Sequence, residues 1–451
     1  MNIGIIGCGY VGLTTGICLS SIEHKLYLYD IDKKKLNLIK EKKLPFYELG
    51  LEELLIKNID KKRLIVNENL KEFVQNTECC FVCVGTPSNS NGTIDLSQIE
   101  NSVKQIVEIL KNETNKEYTI IIRSTVVPST TRNKILPILT ESLQKRINVA
   151  VVPEFLREGK ALVDFMNPDK IVIGTSNNKI NNIIIDIFSY FKNKAEFIQT
   201  NFETAEMIKY TNNAFLATLI SFSNEIANIS EEITEVDTFE VMSALITDKR
   251  ITTKIDNQKI VPGIVEYLSP GCGFGGSCFP KDVNAITGFA SSIGAKTPLL
   301  DAVLAINNER ASKILLLSKS ILKDHSSKKV VILGLAFKPD TDDMRSSPAI
   351  EVIKKLQEEN TDIHAYDPKV NEENLKLMGI SNIILHKTIE DSIKDSDLVI
   401  LLTKWSEFKN INGELLKKYM RIPKIIDGRG FLDKTKFEKN TYYKIGLNEK
   451  K

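Results

Sequence analysis

The sequence predicts an α/β protein in which two Rossmann-like, doubly wound domains are joined by a helical central domain with a long helix. Three observations lead there. Near the amino terminus a short apolar run, a Gly7-Cys-Gly-Tyr-Val-Gly12 turn, a helical pattern and a second apolar run closing on Asp30 succeed one another, the order of a dinucleotide-binding βαβ unit. From Lys328 onward, short apolar runs again alternate with helical patterns. Between these regions, residues 203–230 carry one apolar stripe at helical spacing. A chain of 451 residues exceeds one ordinary core, and the expected domains are 1–200, 201–315 and 316–451.

The first strand is expected at Asn2–Ile6 and the second at Lys25–Tyr29. In the turn between them, Gly7 permits the tight bend, Gly9 admits a pyrophosphate beside Tyr10 and Val11, and Gly12 lets helix and strand approach. The phosphates would meet the helix amino terminus. Asp30 would accept hydrogen bonds from the adenosine ribose and repel a 2′-phosphate, which favours NAD over NADP. Lys33, Lys34 and Lys35 lie close enough to soften that preference.

Further strand-and-loop units follow. Cys79–Val84 ends in Gly85-Thr86-Pro87, Tyr118–Ile122 ends in Arg123-Ser124-Thr125, and Val149–Val152 precedes Pro153-Glu154-Phe155-Leu156-Arg157-Glu158. Ligands of open α/β sheets bind beyond the carboxyl ends of the strands, where Thr86, Ser124, Thr125, Glu154 and Glu158 fall. Each serine or threonine alone reads equally as a turn or cap residue; recurrence in successive loops favours a site.

In the central helix Ile208, Phe215, Leu219, Phe222, Ile226 and Ile229 recur at steps of seven, four, three, four and three, a stripe able to bridge domains or pack on a copy of itself. Lys209 and Asn213 share another face one turn apart; they read as surface residues on their own and as cleft residues in context. Downstream, Gly271-Cys-Gly-Phe-Gly-Gly-Ser-Cys278 leads into Phe279-Pro280-Lys281-Asp282. Pro280 suits a helix start, which sets Cys278 where the helix end favours a thiolate. Asp282, four residues on, shares its face. Isolated cysteines are mostly small buried hydrophobes, but a thiol and a carboxylate beside a glycine-rich loop suggest covalent chemistry followed by hydrolysis.

The last region opens with a strand at Val330–Leu333 and a loop from Gly334 through Lys338 and Arg345. His364–Tyr366, Leu398–Leu402 and Lys424–Ile426 add strands, the last entering Asp427-Gly-Arg429-Gly. The pattern is half of a doubly wound fold without the phosphate-binding glycines. Lys338 and Arg345 suit phosphate or carboxylate groups, so a second nucleotide-like ligand, held differently, is expected.

Composition narrows the classes. Sixty basic and 58 acidic residues leave a net charge of +2, which points to neither nucleic acid nor a membrane surface. Seven scattered cysteines and four histidines lack zinc spacing, so no metal is expected. A chain that enters a strand at its second residue is expected to carry no signal peptide. Free thiols then suggest a reducing, cytoplasmic setting.

Taken in order, GCGYVG, PEFLREG, IKYTNNAFLA, GCGFGGSCFPKD and GLAFKPDTDDMRSSP resemble the UDP-glucose/GDP-mannose dehydrogenase family over nearly the whole chain. The resemblance implies oxidation of a sugar C6 alcohol to a carboxylate with two NAD per turnover. The substrate would be a nucleotide sugar, UDP-glucose first, with GDP-mannose or a UDP-N-acetylhexosamine as alternatives. It implies that Cys278 traps the aldehyde as a thiohemiacetal that becomes a thioester, that Lys209 stabilises the oxyanion, and that Asp282, Thr125 and Glu158 handle water while Asn213 helps hold it. Cofactor contacts carry over to Gly7, Gly9, Gly12, Asp30, Lys35, Thr86, Thr125, Glu158, Lys281 and Arg345. Substrate contacts carry over to Glu154, Phe155, Leu156, Glu158, Lys209, Asn213, Phe274, Gly275, Cys278, Lys338 and Arg429. Arg250 corresponds to an arginine that reaches the neighbouring subunit's sugar, although Thr252–Gln258 reads as an inserted loop beside it. A homodimer on the central helix is implied too. Two other classes stay open: a two-electron hydroxyacid dehydrogenase of the phosphogluconate type, which needs no cysteine, and a catalytically silent nucleotide-sugar sensor.

Overall fold

The computed structural model describes residues 1–89, 92–113, 116–255 and 258–448. The chain divides into two compact units, 1–212 and 213–451.

The first unit is built on an eight-stranded sheet. Its strands are β1 (Asn2–Ile6), β2 (Lys25–Tyr29), β3 (Leu64–Val66), β4 (Cys79–Val82), β5 (Tyr118–Ile122), β6 (Ile147–Val151), β7 (Lys170–Gly174) and β8 (Glu196–Thr200). The order is β3-β2-β1-β4-β5-β6-β7-β8. Through β6 this is the doubly wound order, reversing between β1 and β4; β7 joins β6 antiparallel and carries β8 parallel. Both faces are covered, because successive residues of one strand enter different cores. Cys79 and Phe81 pack with Ile3, Ile5 and Leu13, whereas Cys80 and Val82 pack with Phe73, Ile99 and Val103. Such strands read as unbroken apolar runs, which is why five of the eight were legible. In-register pairing of β1 with β2 ends at Ile6 and Tyr29, so Gly7 and Asp30 emerge side by side. Helix α1 (Tyr10–Ser21) leaves directly from the turn.

The central helix, α2, spans Phe202–Glu231, and the boundary between the units falls within it. Its burial differs from expectation. Lys209 and Asn213 are buried at 3% and 5% exposure, whereas Phe215, Phe222 and Ile229 are 52%, 43% and 54% exposed. The inward face is instead small and polar: Ala214, Ala217, Ser221, Asn224 and Ala227 are buried. Small residues let neighbouring backbones approach closely, and hydropathy alone cannot reveal that choice.

In the second unit, helices α3 (Phe279–Ser292) and α4 (Pro298–Leu322) precede the other sheet. Before them β9 (Thr253–Ile255) and β10 (Gln258–Ile260) pair antiparallel. The stretch read as an inserted loop is therefore a hairpin; Asp256 and Asn257 lie outside the described residues. The second sheet has six strands: β11 (Lys329–Leu333), β12 (Asp362–Tyr366), β13 (Ile384–Leu385), β14 (Leu398–Leu401), β15 (Ile425–Asp427) and β16 (Tyr442–Lys444). Its order, β13-β12-β11-β14-β15-β16, repeats the first six-strand pattern. It is thus a whole doubly wound sheet, completed by two strands beyond the four read from the sequence. Strands of two and three residues, β13 and β16, are too short to show a pattern. Gly334, at φ +91°, turns the chain after β11 as Gly7 does after β1. No helix among the described residues is long and apolar enough to cross a membrane.

Candidate active site

In the first unit the turn after β1 has the shape a dinucleotide needs. Gly7 holds φ +92°, and a Cβ there would sit 2.8 Å from the Cys83 backbone. A Cβ on Gly12 would lie 1.8 Å from the Gly7 carbonyl oxygen, whereas one on Gly9 would meet nothing within 4 Å. Two glycines therefore shape the turn and one leaves its surface open. Gly9 caps α1 without a side-chain acceptor, so the first amides keep their capacity to bind an anion. Asp30 Oδ2 accepts from the Cys8 N–H at 2.7 Å and Oδ1 from the Asp32 N–H at 2.8 Å. The carboxylate holds the turn while keeping lone pairs for ribose hydroxyls. Lys35 approaches Asp32 at 4.0 Å, and Thr86 is buried near the end of β4. These residues fit NAD.

Tyr10 has a second engagement that its place in the turn did not disclose. Its hydroxyl donates to Glu48, and its ring packs on Phe46 at 4.8 Å. Glu48 Oε2 also accepts from the Gly159 N–H at 2.7 Å. Burial and then the Glu48 bond push the Tyr10 phenol up, so it stays a donor. The pair ties the dinucleotide turn to the loop that carries Glu154 and Glu158. Nothing in the pattern around Glu48 marks it, since a lone glutamate in a polar stretch has no signature.

That loop is anchored at its other end by an ion pair. Lys209 Nζ lies 2.9 Å from Glu154 Oε1, with the two side chains 4% and 5% exposed. Glu154 Oε2 accepts from the Leu156 N–H at 2.6 Å. Burial alone would raise the Glu154 carboxyl, but Lys209, the Leu156 amide and Arg123 outweigh it and hold the group below its ordinary value. The Phe155 ring has Lys170 at 4.6 Å and Lys209 at 5.6 Å, a cation–π arrangement. Glu158 is buried as well, and Thr125 is half-buried after β5. Ser124 follows the plainer reading: its hydroxyl donates to the Val84 carbonyl at 2.7 Å.

In the second unit Cys278 is the N-cap of α3, half-buried, with Pro280 at the second helical position. The other six cysteines are buried, and burial pushes their thiols up. Ser277 Oγ stands 3.5 Å from Cys278 Sγ. One turn along, Asp282 is 1% exposed and bonded twice: Asn213 Nδ2 donates to Oδ2 at 2.6 Å and Lys281 Nζ to Oδ1 at 2.5 Å. Asn213, Lys281 and Asp282 are thus brought together one helical turn from Cys278. A Cβ on Gly275 would lie 2.2 Å from the Ser346 carbonyl oxygen, so the loop passes against the Arg345–Ser346 backbone. Phe274 packs into an apolar cluster with Ala214, Val283 and Val303. Arg429 donates through Nε to the Leu402 carbonyl at 2.7 Å and through Nη1 to the Gly273 carbonyl at 3.0 Å. Lys338 lies over the ring of Phe337. The Arg345 side chain pairs with Asp343, and Arg250, with an 88% exposed side chain, pairs with Asp248.

Three models of the UDP-glucose/GDP-mannose dehydrogenase family cover the chain: the NAD binding domain at 1–192, the central domain at 203–309 and the UDP binding domain at 331–434. The chain is 36% identical over 450 residues to UDP-glucose 6-dehydrogenase YwqF of Bacillus subtilis, covering 99% of this chain and 98% of the relative. Among solved structures, a UDP-glucose dehydrogenase from the archaeon Pyrobaculum islandicum superposes with a TM-score of 0.89 at 30% identity, covering 99% and 98% of the two chains. A UDP-D-ManNAc dehydrogenase from Pyrococcus horikoshii gives 0.83 at 25% identity, covering 99% of each.

Proposed function

Because the chain belongs to the UDP-glucose/GDP-mannose dehydrogenase family, we propose that it oxidises the C6 alcohol of UDP-glucose to a carboxylate. It is an NAD-dependent oxidoreductase acting on a CH–OH group. Bound NAD supplies a two-electron acceptor, twice for each sugar.

The protein's own part is to hold the carbon between oxidations. Cys278 adds its sulfur to the C6 aldehyde, forming a C–S bond and a thiohemiacetal whose hydroxyl gives up its proton. Breaking of the C6–H bond, with the hydrogen leaving as a hydride that carries two electrons, makes the adduct a thioester. Water then adds to the carbonyl, the C–S bond breaks, and the thiolate returns to Cys278. Lys209, held by Glu154, offers a fixed cation to the oxygen that gains charge. Asp282, bonded to Asn213 and Lys281, orients water with Thr125 and Glu158. Gly7, Gly9, Gly12, Asp30 and Thr86 hold the cofactor; Phe155, Leu156, Phe274, Gly275, Lys338 and Arg429 hold the nucleotide sugar. On this reading the chain has three functional parts, 1–200, 201–315 and 316–451; family models matching 1–192, 203–309 and 331–434 support it. The exposed Phe215, Phe222 and Ile229, seven residues apart on α2, support a homodimer formed on that helix, and cysteines that form no disulfide fit a cytoplasmic setting.

The observation that carries the reading is Cys278 itself, a half-buried cysteine capping α3 one turn from the bonded Asp282. The test is a panel of UDP-glucose, GDP-mannose and UDP-N-acetylhexosamines with NAD. UDP-glucose should yield two NADH per sugar, and Cys278→Ala should abolish formation of the acid. One NADH per sugar, or turnover of GDP-mannose without UDP-glucose, refutes the proposal.

A further inference from the structure

The loop that delivers Cys278 has few means of shaping itself. Gly271, Gly273, Gly275 and Gly276 make up four of the seven residues from 271 to 277, and Gly273 and Gly276 hold φ of +99° and +83°. A glycine-rich segment has the most conformational freedom to lose, so its geometry must be imposed from outside.

Polar side chains on two helices impose it. Asn307, on α4, forms a double bond pattern with one residue of the loop. Its Oδ1 accepts from the Phe274 N–H at 2.7 Å, and its Nδ2 donates to the Phe274 carbonyl at 3.1 Å, as a neighbouring strand would. One turn further, Arg310 Nε donates to the Gly271 carbonyl at 2.9 Å and Nη1 to Asn228 Oδ1 on α2 at 2.5 Å. Asn224, also on α2, accepts from the Gly271 N–H at 2.8 Å. Arg310 is completely buried, and its acidic neighbour Glu231 stands 3.9 Å away. Removing a guanidinium from water for so little direct ion pairing is a poor way to stabilise a core. Its good hydrogen bonds go to the loop and to the helix that braces it.

We propose that Asn307 and Arg310, with Asn224, are positioning residues that hold the Gly271–Ser277 backbone so that Cys278 takes its place at the start of α3. This rests on the catalytic role proposed for Cys278. Without the Asn307 clamp the Phe274 amide and carbonyl lose their partners, and the loop relaxes toward other glycine conformations. Misplacement of a reacting group by about 1 Å is enough to lower turnover about 100-fold.

The test compares Asn307→Ala with wild type in the full-length protein, with Asn224→Ala as a second variant should the first fail to fold. The primary readout is the rate of Cys278 alkylation by iodoacetamide against pH, with no substrate present. The six other thiols are buried, and Cys278→Ser supplies the blank. The expected result is an alkylation profile displaced at least about threefold in rate, or shifted along the pH axis, in a protein that melts cooperatively. With UDP-glucose, kcat should fall about 10- to 100-fold and KM for the sugar should rise, because Phe274 and Gly275 lie on the same loop, while KM for NAD stays within about twofold of wild type. An unchanged alkylation profile overturns the proposal, whatever happens to kcat, because the loop then has not moved. Failure of wild type to turn over UDP-glucose refutes the functional reading instead and leaves the alkylation result to decide this one.

Discussion

The Glu154–Lys209 pair offers the sharpest test of how the first unit is held together. The charges stand 2.9 Å apart with side chains 4% and 5% exposed. At an effective dielectric of about 20 they attract by about 6 kcal/mol, and desolvating two ions cancels most of that. Removing one partner is a different matter, since it strands the other. Glu154→Gln leaves Lys209 and the nearby Arg123 as buried cations, whereas Lys209→Met leaves a carboxylate that still has the Leu156 amide and Arg123. Each single change should therefore destabilise by about 3–5 kcal/mol, Glu154→Gln the more. At about 2–4 °C per kcal/mol for a unit of this size, the transition of the first unit should fall by about 6–20 °C. The double variant strands less charge and should melt above the Glu154→Gln single. Differential scanning calorimetry of the four proteins at pH 7 closes the cycle. Melting of either single variant within about 2 °C of wild type, or losses that simply add, would refute the reasoning. The pair also sets an acid limit: the Glu154 carboxyl lies below its ordinary 4.5 when folded, so its contribution is full above that pH and is lost as pH falls through the folded value. Glu154→Gln should lack that limb.

Three further outcomes follow from other residues. Burial raises the Glu206 carboxyl to about 7 against the Thr131 N–H bond that favours its charge. The stability this gives is full below pH 4.5 and is lost as pH rises through about 7, up to about 3 kcal/mol; urea unfolding at pH 5 and 8 should show a smaller difference in Glu206→Gln. Gly12→Ala drives a Cβ to 1.8 Å from the Gly7 carbonyl, so NAD affinity measured by calorimetric titration should fall at least about 10-fold, or about 1.4 kcal/mol. Phe222→Glu puts a charge into the exposed stripe of α2, and sedimentation should report a folded monomer in place of the dimer proposed for the wild type.

Local chemistry made much of this protein legible from its residues. Gly7, Gly9 and Gly12 between two apolar runs specify a turn whatever lies around them, because the steric demand is met within a few residues. Cys278 is marked in the same way by the glycines before it and by Pro280 after it. Most buried strands were visible as apolar runs, whereas β3, β7, β8, β13 and β16 were missed, because their pairing depends on neighbours in the sheet. Glu48 and Asn307 went unseen for the same reason: their partners, Gly159 and Phe274, lie 111 and 33 residues away.

The sequence by itself determined two doubly wound sheets, a dinucleotide turn and a thiol at a helix start, since each follows from backbone sterics and hydrophobic periodicity over short stretches. Only the tertiary structure decided which face of α2 is buried. There, small side chains allow close packing and buried polar groups find partners, so Lys209 reaches Glu154 and Asn213 reaches Asp282 while three large apolar side chains stay outside. Hydrogen bonds across distant segments set that balance, and no periodicity along the chain encodes them.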